Sequence, residues 1–553
     1  MKNTINPMKP TACRNFPRAY HLLVCHFFSI ALLVVCPPAG AEVSPSPTPH
    51  PPADRWGDLG DGTYANPILP GDFSDLDAIR VGSDYYAISS TFQFSPGVIV
   101  LQSKDLVNWK IIGHVVQDLR QIGPELNWDR MNRYGKGVWA GSIRHHDGKF
   151  WVYFGTPDEG YFMSTAKDPV GPWEPLHQML NEPGWDDCCP FWDDDGQGYF
   201  VGTQMKNNYS IHLFKLTPDG RDLVPGSDKI IQQSKGSEAN KFYKIDGTYY
   251  HYYSEVRPEG RVIMMNRSKN IYGPYETKQL NHAQGKIDPN QGGIVQTEAG
   301  DWWFVTHIGT GFWAGRVGNL LPVHWVDGWP IPGEIGTDKI GKMVWTAKKP
   351  IMGFPLADKQ TDEEFHGPQF GVQWEWNYQP RAEKWSLTER PGFLRLHAFR
   401  PLEPGNIKKA GNTLTQRSLR TASNEVTVKV DLSGMADGQQ SGICHFAKTS
   451  SLFGVTQRDG VRILTYNNDG AVSSGPVLTG TDLWLRSVWD GNGLSRYSYS
   501  TDGTQFVDFG DPYQLSWGQY RGDRIGIYSF NDKSDKGYLD VDWFHYNFAR
   551  PGR

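Results

Sequence analysis

The sequence predicts an all-β protein in which a five-bladed β-propeller is followed by a β-sandwich. The first observation behind this prediction is a polar, turn-prone pair that runs into an aromatic-rich strand and occurs five times. After a longer first interval the copies recur about every fifty residues, a period typical of radial repeats such as propellers. The five copies are Ser83–Tyr86, Asp147–Trp151, Asp195–Tyr199, Asp246–Tyr250 and Gly300–Trp303.

The second observation is a change of pattern near residue 350. Before it, short β segments are separated by Gly, Asp, Asn and Pro, and no long window keeps a helical period. Beyond it, apolar and polar residues alternate in segments such as Val426–Val430 and Arg462–Tyr466. Alternation with regular turn signals is typical of a β-sandwich. We therefore predict the propeller over residues 64–350 and the sandwich over 351–553.

Length and charge exclude some classes of protein. A chain of 553 residues is too long for one ordinary core, so two folded domains are expected. The formal net charge is −5, and no cluster of Lys and Arg occurs in the sequence. Because binding to a phosphate backbone needs such clusters, we expect no nucleic-acid partner.

The N-terminus has the pattern of an export signal. A basic stretch precedes apolar segments between residues 21 and 35, and the small residues 39–41 match a cleavage site. We therefore expect residues 1–41 to be removed, and the protein to be secreted or periplasmic with no membrane attachment. Residues 42–63 are predicted to be a Pro/Gly-rich linker without a core. A retained anchor and lipid attachment at Cys36 are the alternatives.

Few cysteines follow the export signal. Cys188, Cys189 and Cys444 form no disulfide framework, and their odd number leaves at least one thiol unpaired within the chain. The adjacent Cys188 and Cys189 are either two thiols, which is the favoured prediction, or a strained vicinal bridge.

Three carboxylates lie close to repeats whose turns do not need them: Asp75, Asp187 and Glu238. In a propeller these acids come from different blades and would meet at one end of the central channel. Glycoside hydrolysis needs two carboxyl groups on opposite sides of the bond, one to donate a proton and one to activate water or attack carbon. The three acids therefore indicate sugar chemistry. Asp186 is the alternative to Asp187, and any single Asp here could simply cap a turn.

The segments around these acids resemble glycoside hydrolase family 43. The resemblance covers about residues 64–550 and implies a five-bladed propeller with a concanavalin-like sandwich that cuts β-xylosides and α-L-arabinofuranosides with inversion. Leu76 and Cys188 stand where the family usually has Pro, which affects the shape of the turn. The segments that carry the resemblance are Pro70–Gly82, Trp139–Arg144, Gly184–Trp192, Gly236–Lys244, Asn290–Val295 and Gly315–Val317.

The resemblance gives each acid a role. Asp75 becomes the general base and Glu238 the general acid, while Asp187 raises the pKa of Glu238 and orients its carboxyl group. Arg316 would lie in the sugar pocket and hold the acids in place.

The walls of the pocket are also implied by the resemblance. Phe92 and Trp139 are expected to line it, and Phe453 of the sandwich is expected to reach over it and favour cleavage at a chain end. His307 either lines the channel or is a core histidine.

The predicted function is a secreted, inverting exo-glycosidase that acts on β-1,4-xylosides such as xylo-oligosaccharides, or on α-L-arabinofuranosides of plant hemicellulose. Its partner is thus an oligosaccharide or polysaccharide, and no oligomeric state is predicted. No cofactor is required and no metal ligand is assigned, because Asn290 stands where many members have a His near a cation on the propeller axis. A structural Ca²⁺ or other cation there is the alternative. The rival function is a non-catalytic carbohydrate-binding propeller.

Overall fold

The computed structural model describes residues 57–357 and 359–549, and most of them belong to β-strands. These ranges contain no α-helix, and hence no helix long and apolar enough to span a bilayer. The predicted export signal and most of the predicted linker lie outside the described residues. Five short 3₁₀ helices occur in the described part: Leu119–Gln121, Pro124–Leu126, Gly285–Ile287, Ala382–Lys384 and Ile407–Lys409.

The N-terminal half contains five four-stranded antiparallel sheets, each formed by strands close together in the sequence. This arrangement confirms the predicted five-bladed propeller. The strands are β1 (Thr63–Ala65), β2 (Asp77–Val81), β3 (Asp84–Ser89), β4 (Phe94–Ser95), β5 (Gly97–Ser103), β6 (Trp109–Val116), β7 (Gly141–His146), β8 (Lys149–Thr156), β9 (Gly160–Ala166), β10 (His177–Leu180), β11 (Trp185–Trp192), β12 (Gly198–Gln204), β13 (Ser210–Lys215), β14 (Lys229–Gln233), β15 (Glu238–Ile245), β16 (Thr248–Arg257), β17 (Gly260–Ser268), β18 (Glu276–Gln279), β19 (Gly292–Gln296), β20 (Trp302–Ile308), β21 (Val317–Val326), β22 (Trp329–Pro332), β23 (Glu334–Ile335), β24 (Gly341–Lys342) and β25 (Thr346–Lys348).

The first strand of each blade lies at the centre of the propeller. The blades consist of β2-β3-β5-β6, β7 to β10, β11 to β14, β15 to β18 and β19 to β22. Strand β2 packs against both β7 and β19, and β11 packs against both β7 and β15. The five inner strands therefore surround a common centre, and the first and last blades are neighbours.

The repeated turn pairs join the inner strand of a blade to its second strand. Asp147 and Gly148 connect β7 to β8 with φ values of 47° and 69°, and Asp246 and Gly247 connect β15 to β16 with 49° and 65°. Two successive residues with positive φ make the tight hairpin turn that matches the twist of the strands, and Asp-Gly is well suited to that conformation. The sequence repeat is thus the repeat of this hairpin.

The segment before the first blade closes the ring against the last blade. The Asn66 side chain donates to the carbonyl oxygens of Leu320 (2.8 Å) and Val344 (2.7 Å), and it accepts from the Leu320 N–H (2.9 Å). The Tyr64 hydroxyl donates to the same Leu320 carbonyl, and β1 pairs with β25. A single buried amide therefore satisfies backbone groups from two segments near the C-terminal end of the propeller.

The C-terminal region forms two antiparallel sheets of eight strands each. One has the order β34-β33-β32-β31-β39-β29-β26-β4, and the other β27-β28-β40-β30-β35-β36, with β37 and β38 both paired to β36. Large apolar side chains from both sheets fill the core between them. Its strands are β26 (Glu375–Asn377), β27 (Trp385–Ser386), β28 (Leu394–His397), β29 (Leu414–Arg417), β30 (Ser423–Asp431), β31 (Gln439–Phe446), β32 (Ser450–Arg458), β33 (Val461–Asn468), β34 (Ala471–Leu478), β35 (Asp482–Asp490), β36 (Leu494–Ser500), β37 (Val507–Asp508), β38 (Tyr513–Gln514), β39 (Arg524–Asn531) and β40 (Tyr538–Phe548).

The sandwich and the propeller share hydrogen bonds. Strand β4, which lies between two strands of the first blade, pairs with β26 at the edge of a sandwich sheet. Arg417 of the sandwich donates to the carbonyl oxygen of Asp72 (2.8 Å) and forms an ion pair with the buried Glu375 (3.1 Å). The propeller loops before β2 are therefore fixed partly by the sandwich.

The structure differs from the sequence prediction at the end of the linker. Residues 57–63 belong to the fold, because the buried Asp58 accepts from Asn108 (2.8 Å) and from Lys349 (2.6 Å). The richness in Gly and Asp that suggested a free linker is used here for a turn against the first blade.

The closure of the ring predicts the effect of Asn66→Ala. The variant leaves the buried Leu320 N–H without its acceptor, so we expect a loss of about 2–4 kcal/mol in unfolding free energy and a lower Tm. The control is Asn492→Ala, because Asn492 is exposed in a turn. Scanning calorimetry that gives the two variants the same Tm as the wild type would contradict the role of Asn66.

Candidate active site

One small cavity collects side chains from all five blades. The inner strands run in the same sense, so the residues at or just before their first positions meet at one end of the propeller. The cavity has a volume of about 100 Å³. The predicted residues that line it are Asp75, Phe92, Trp139, Asp187, Glu238 and Arg316, and they are joined by Ala140, Asp186, Met205, Tyr209, Gln291 and Tyr520.

Irregular backbone places the three acids. Asp75 has φ 56°, Asp187 has φ 48°, and Ala239, which follows Glu238, has φ 67°. In β11 and β15 the pairing register shifts at these points. A bulge of this kind turns one side chain away from the regular alternation of a strand. The strained positions are therefore what directs the carboxyl groups into the cavity rather than into a blade.

Asp75 is held by donors on both carboxylate oxygens. Arg316 donates from one terminal nitrogen to Oδ1 (2.7 Å) and from the other to Oδ2 (3.0 Å), and Ser90 donates its hydroxyl to Oδ2 (2.8 Å). Such a fork-to-fork pair fixes orientation as well as charge. Asp75 is thus presented as a rigid carboxylate.

His307 supports Asp75 from the protein interior. Its Nδ1 accepts the backbone N–H of Asp75 at 2.8 Å, and its side chain is 1% exposed. Burial, together with the nearby charge of Arg316, lowers the pKa of His307 well below its usual value. His307 is therefore a neutral core histidine, one of the two alternatives left open by the sequence.

Glu238 is bound by an arginine that the sequence did not reveal. Its Oε1 lies 3.0 Å from the terminal nitrogen Nη2 of Arg261. The Glu238 side chain is 27% exposed, compared with 5% for Asp75. Of the two carboxylates, Glu238 is thus the one more accessible from solvent.

Asp187 is a buried acid whose pKa is affected by the charges of both Glu238 and Asp75. Its Oδ1 accepts from Gln291 Nε2 at 2.5 Å. Burial, followed by the charges of Glu238 and Asp75, raises the pKa of Asp187 to about 7. The fully buried Lys241 acts in the opposite direction through its positive charge. Asp187 therefore holds a proton at mildly acidic pH.

Asp186 also lines the cavity, but its partners differ. Burial and the charge of Asp187 raise its pKa well above the ordinary value. Its Oδ1 has no hydrogen-bond partner among the described residues, whereas Asp187 is bound by Gln291. Of these two neighbouring acids, Asp187 is therefore the one whose carboxyl group is held by a hydrogen bond from another cavity residue.

Four aromatic residues line the cavity, namely Phe92, Trp139, Tyr209 and Tyr520. Phe92 is buried beneath the guanidinium of Arg316, 5.7 Å from the ring centroid. Trp139 donates from its indole nitrogen to the Gly135 carbonyl (3.1 Å), and its ring meets that of Tyr520 edge-to-face at 5.4 Å. Tyr520 is 56% exposed and comes from the sandwich.

The loop that carries Tyr520 is anchored on the propeller. A β-carbon at Gly522 would lie 2.3 Å from the Ala314 carbonyl carbon, so only glycine fits this contact. The Asp523 N–H donates to the Trp313 carbonyl at 2.7 Å. Trp313 and Ala314 shortly precede Arg316 in the chain. The loop of Tyr520 is therefore attached to the same segment that carries Arg316.

Phe453 does not reach the cavity, which corrects the prediction from sequence. It lies in β32, is 0% exposed in the sandwich core, and packs on Tyr497 with ring centroids 5.1 Å apart. Strand alternation explains this, because Phe453 and Val455 both point into the core. Tyr520 is the sandwich residue that lines the cavity.

A larger cavity of about 430 Å³ lies at the opposite ends of the inner strands. Its lining includes Arg144, Trp192, Lys244 and Trp302, but no Asp or Glu. It therefore lacks the pair of carboxyl groups that glycoside hydrolysis requires.

The side chains at the centre of the propeller do not form a set of metal ligands in the described part of the chain. No group of three or more His, Cys, Asp and Glu side chains suited to a metal occurs in residues 57–357 and 359–549. The buried ammonium of Lys241 is close enough to Asp187 and His307 to affect their pKa values. A cation already built into the chain does not favour a second one there. Cys188, Cys189 and Cys444 are free and buried.

Two carboxyl groups at one end of a propeller, in a cavity with aromatic walls, fit what glycoside hydrolysis requires. Residues 64–330 match the model of glycosyl hydrolases family 43, and residues 362–547 match that of the β-xylosidase C-terminal concanavalin A-like domain. The chain belongs to glycosyl hydrolases family 43, and is thus a glycoside hydrolase.

Relatives extend the match over almost the whole chain. A β-xylosidase of Formosa agariphila is 37% identical in an alignment 549 residues long. The alignment covers 90% of this chain and 92% of the relative. A non-reducing end α-L-arabinofuranosidase of Bacteroides ovatus is 33% identical, with 61% of this chain and 65% of the relative covered. The crystal structure of a family 43 protein of Bacillus licheniformis is 26% identical with a TM-score of 0.76, covering 88% of this chain and all of that one.

The shifted pKa of Asp187 predicts how stability depends on pH. Between its ordinary value of 3.8 and about 7, the folded protein keeps a proton on Asp187 that the unfolded chain releases. Stability should therefore fall as pH rises through this window, on the order of a few kcal/mol. Asp187→Asn carries no such proton and should lose less.

Thermal unfolding between pH 4 and 8 measures this difference. Asp129→Asn serves as the control, because Asp129 is exposed on the surface. Parallel curves of Tm against pH for the wild type and Asp187→Asn would contradict the raised pKa of Asp187.

Proposed function

We propose that the protein is an inverting exo-glycosidase that releases xylose or L-arabinofuranose from the non-reducing ends of hemicellulose fragments. The observation that carries this proposal is the unequal environment of Asp75 and Glu238 within one cavity. Asp75 has donors on both oxygens, while Glu238 is more exposed and has one oxygen free. This inequality suits a base and an acid respectively.

Asp75 is assigned the role of general base. The three hydrogen bonds from Arg316 and Ser90 hold the Asp75 carboxylate in position, and it takes up a proton from the attacking water. The water oxygen then forms a bond with the anomeric carbon on the face away from the leaving group. Inversion requires space for this water, which corresponds to a separation of about 6.5–9.5 Å between the two carboxyl groups.

Glu238 is assigned the role of general acid. It transfers its proton to the glycosidic oxygen as the bond to the anomeric carbon breaks, so that the leaving sugar departs as an alcohol. Asp187 adds negative charge close to Glu238 when it is ionised, and it accepts a proton itself at lower pH. Asp187 is thus assigned the role of adjusting the electrostatic environment of Asp75 and Glu238.

The walls support action at chain ends. Trp139 and Tyr520 close one side of a cavity whose volume is about 100 Å³. A ring edge and a ring face suit the apolar C–H surface of a sugar. With so little space, one terminal sugar unit is the part of the substrate that fits behind the scissile bond.

The names of the relatives support the choice of sugar. One is a β-xylosidase and another an α-L-arabinofuranosidase. We place the xyloside first, because the relative that covers most of this chain is a β-xylosidase. We also propose export to the periplasm or the medium, from the basic and apolar pattern of residues 1–41.

The stereochemical outcome tests the proposed reaction. We expect hydrolysis of p-nitrophenyl β-D-xyloside, and less of the α-L-arabinofuranoside, with α-xylose as the first product seen by proton NMR before mutarotation. β-Xylose as the first product would contradict inversion. Tight binding of both glycosides without turnover would support the binding-protein alternative.

Substitution of the two acids separates their roles. Glu238→Ala should lose on the order of a thousandfold in kcat on xylobiose and much less on a dinitrophenyl xyloside, since a good leaving group needs little protonation. Asp75→Ala should lose activity on both substrates, because water activation is needed for each.

The matched control is Glu259→Ala, an exposed glutamate in the same blade as Glu238. Equal losses of Glu238→Ala on the two substrates would remove the general-acid assignment. An active Asp75→Ala enzyme would remove the assignment of the base.

A further inference from the structure

Arg261 reaches Glu238 across one strand of the fourth blade. Glu238 in β15 is paired with Ser254 in β16, and Ser254 is paired with Ile263 in β17. Arg261 lies two residues before Ile263 at the same end of the blade. Its side chain spans β16 and places Nη2 at 3.0 Å from Glu238 Oε1.

The guanidinium is held by groups other than the acid. Its Nη1 donates to the Gly236 carbonyl (2.9 Å) and to the Ser254 hydroxyl (3.0 Å). Gly236 has φ 62°, and a β-carbon there would lie 2.9 Å from Val256 and 3.5 Å from Nη2 of Arg261. The turn before Glu238 thus packs closely on Val256 and lies at ordinary van der Waals distance from this arginine.

The backbone of Arg261 is fixed as well. Its N–H donates to Oδ2 of Asp288 at 3.1 Å, and a β-carbon at the neighbouring Gly260 would lie 2.6 Å from the same oxygen. The start of β17 is therefore pinned to the loop before the fifth blade. An arginine fixed at both ends does not simply follow the movements of a flexible glutamate.

Each of the two carboxylates has its own arginine, but the contacts differ. Arg316 binds both oxygens of Asp75, whereas Arg261 binds only Oε1 of Glu238. Oε2 of Glu238 has no hydrogen-bond partner within the described part of the chain. A carboxyl group with one oxygen bound and one free can carry a proton on the free oxygen while the other oxygen still accepts from the guanidinium.

We propose that Arg261 is a positioning residue for proton donation, which holds Oε1 so that Oε2 carries and delivers the proton. This inference rests on the proposed role of Glu238 as general acid. In the reaction the O–H bond at Oε2 breaks and a new O–H bond forms on the departing sugar oxygen. The negative charge left on Glu238 is then stabilised by Arg261 through Oε1, at the moment when it develops.

The test compares Arg261→Met with Arg261→Lys in the full-length protein, using aryl xylosides of increasing leaving-group pKa. Without the cation, proton transfer to a poor leaving group becomes harder. We expect Arg261→Met to lose on the order of tenfold to a hundredfold in kcat/KM on the poorest leaving group and little on the dinitrophenyl xyloside. Arg261→Lys, which keeps the charge, should recover part of the loss.

The pH profile provides a readout that a purely structural role would not move. The alkaline limb of kcat/KM should shift to higher pH in Arg261→Met, because a carboxyl group that loses a neighbouring cation holds its proton more tightly. The control is Arg120→Met, since Arg120 is exposed and pairs with Asp118 at the surface. It should keep the wild-type profile.

The outcomes separate this inference from the proposed function. Equal losses of Arg261→Met on all leaving groups, with an unmoved pH profile and a lower Tm, would overturn the inference and leave Arg261 a structural residue. Full activity of Glu238→Ala on xylobiose would instead overturn the proposed function. A leaving-group dependence in Arg261→Met that resembles that of Glu238→Ala supports both.

Discussion

The repulsion between buried carboxyl groups is the constraint on which this site depends. Asp75, Asp186, Asp187 and Glu238 line one cavity of about 100 Å³. Negative charges so close together cannot all remain ionised unless cations or protons compensate for them. The chain provides both means. Arginines bind Asp75 and Glu238, while burial and the charges of neighbouring carboxylates raise the pKa values of Asp186 and Asp187.

This compensation works only if the acids cannot move apart. A flexible loop would relieve the repulsion by letting one carboxyl group turn toward solvent. Here each acid lies at the start of an inner strand, at a backbone position with positive φ or beside one. The pairing of four strands behind each position keeps it in place, and the closed ring keeps the blades together. The stability of the propeller is thus used to hold an electrostatically unfavourable arrangement.

Much of the fold could be predicted from sequence, because the hairpin turns have a recognisable pattern of polar and glycine residues. Five polar turn pairs followed by aromatic strands, three of them Asp-Gly, predict the number of blades. The motifs predict Asp75, Asp187, Glu238 and Arg316, all of which line the cavity. These residues lie near strand starts, where local sequence determines the backbone. The aromatic residues Phe92 and Trp139, which the family resemblance implies as pocket walls, also line the cavity.

The missed residues depend on contacts that local sequence does not encode. Arg261 meets Glu238 only through the pairing register of two further strands, and Gln291 meets Asp187 across two blades. Phe453 was assigned to the cavity although strand alternation directs it into the core. A better signal was present in Gly518–Asp523, where Tyr520 is a lone aromatic residue in a glycine-containing turn between strands.

The contribution of Tyr520 has a consequence for how such an enzyme can change. The carboxyl groups that line the cavity and Arg316 come from the propeller, while one wall comes from a turn about two hundred residues further on. Substitutions of Tyr520 would change this wall and leave the arginine contacts of Asp75 and Glu238 in place. During evolution the shape of this wall and the carboxyl groups can therefore change independently, although both line the same cavity.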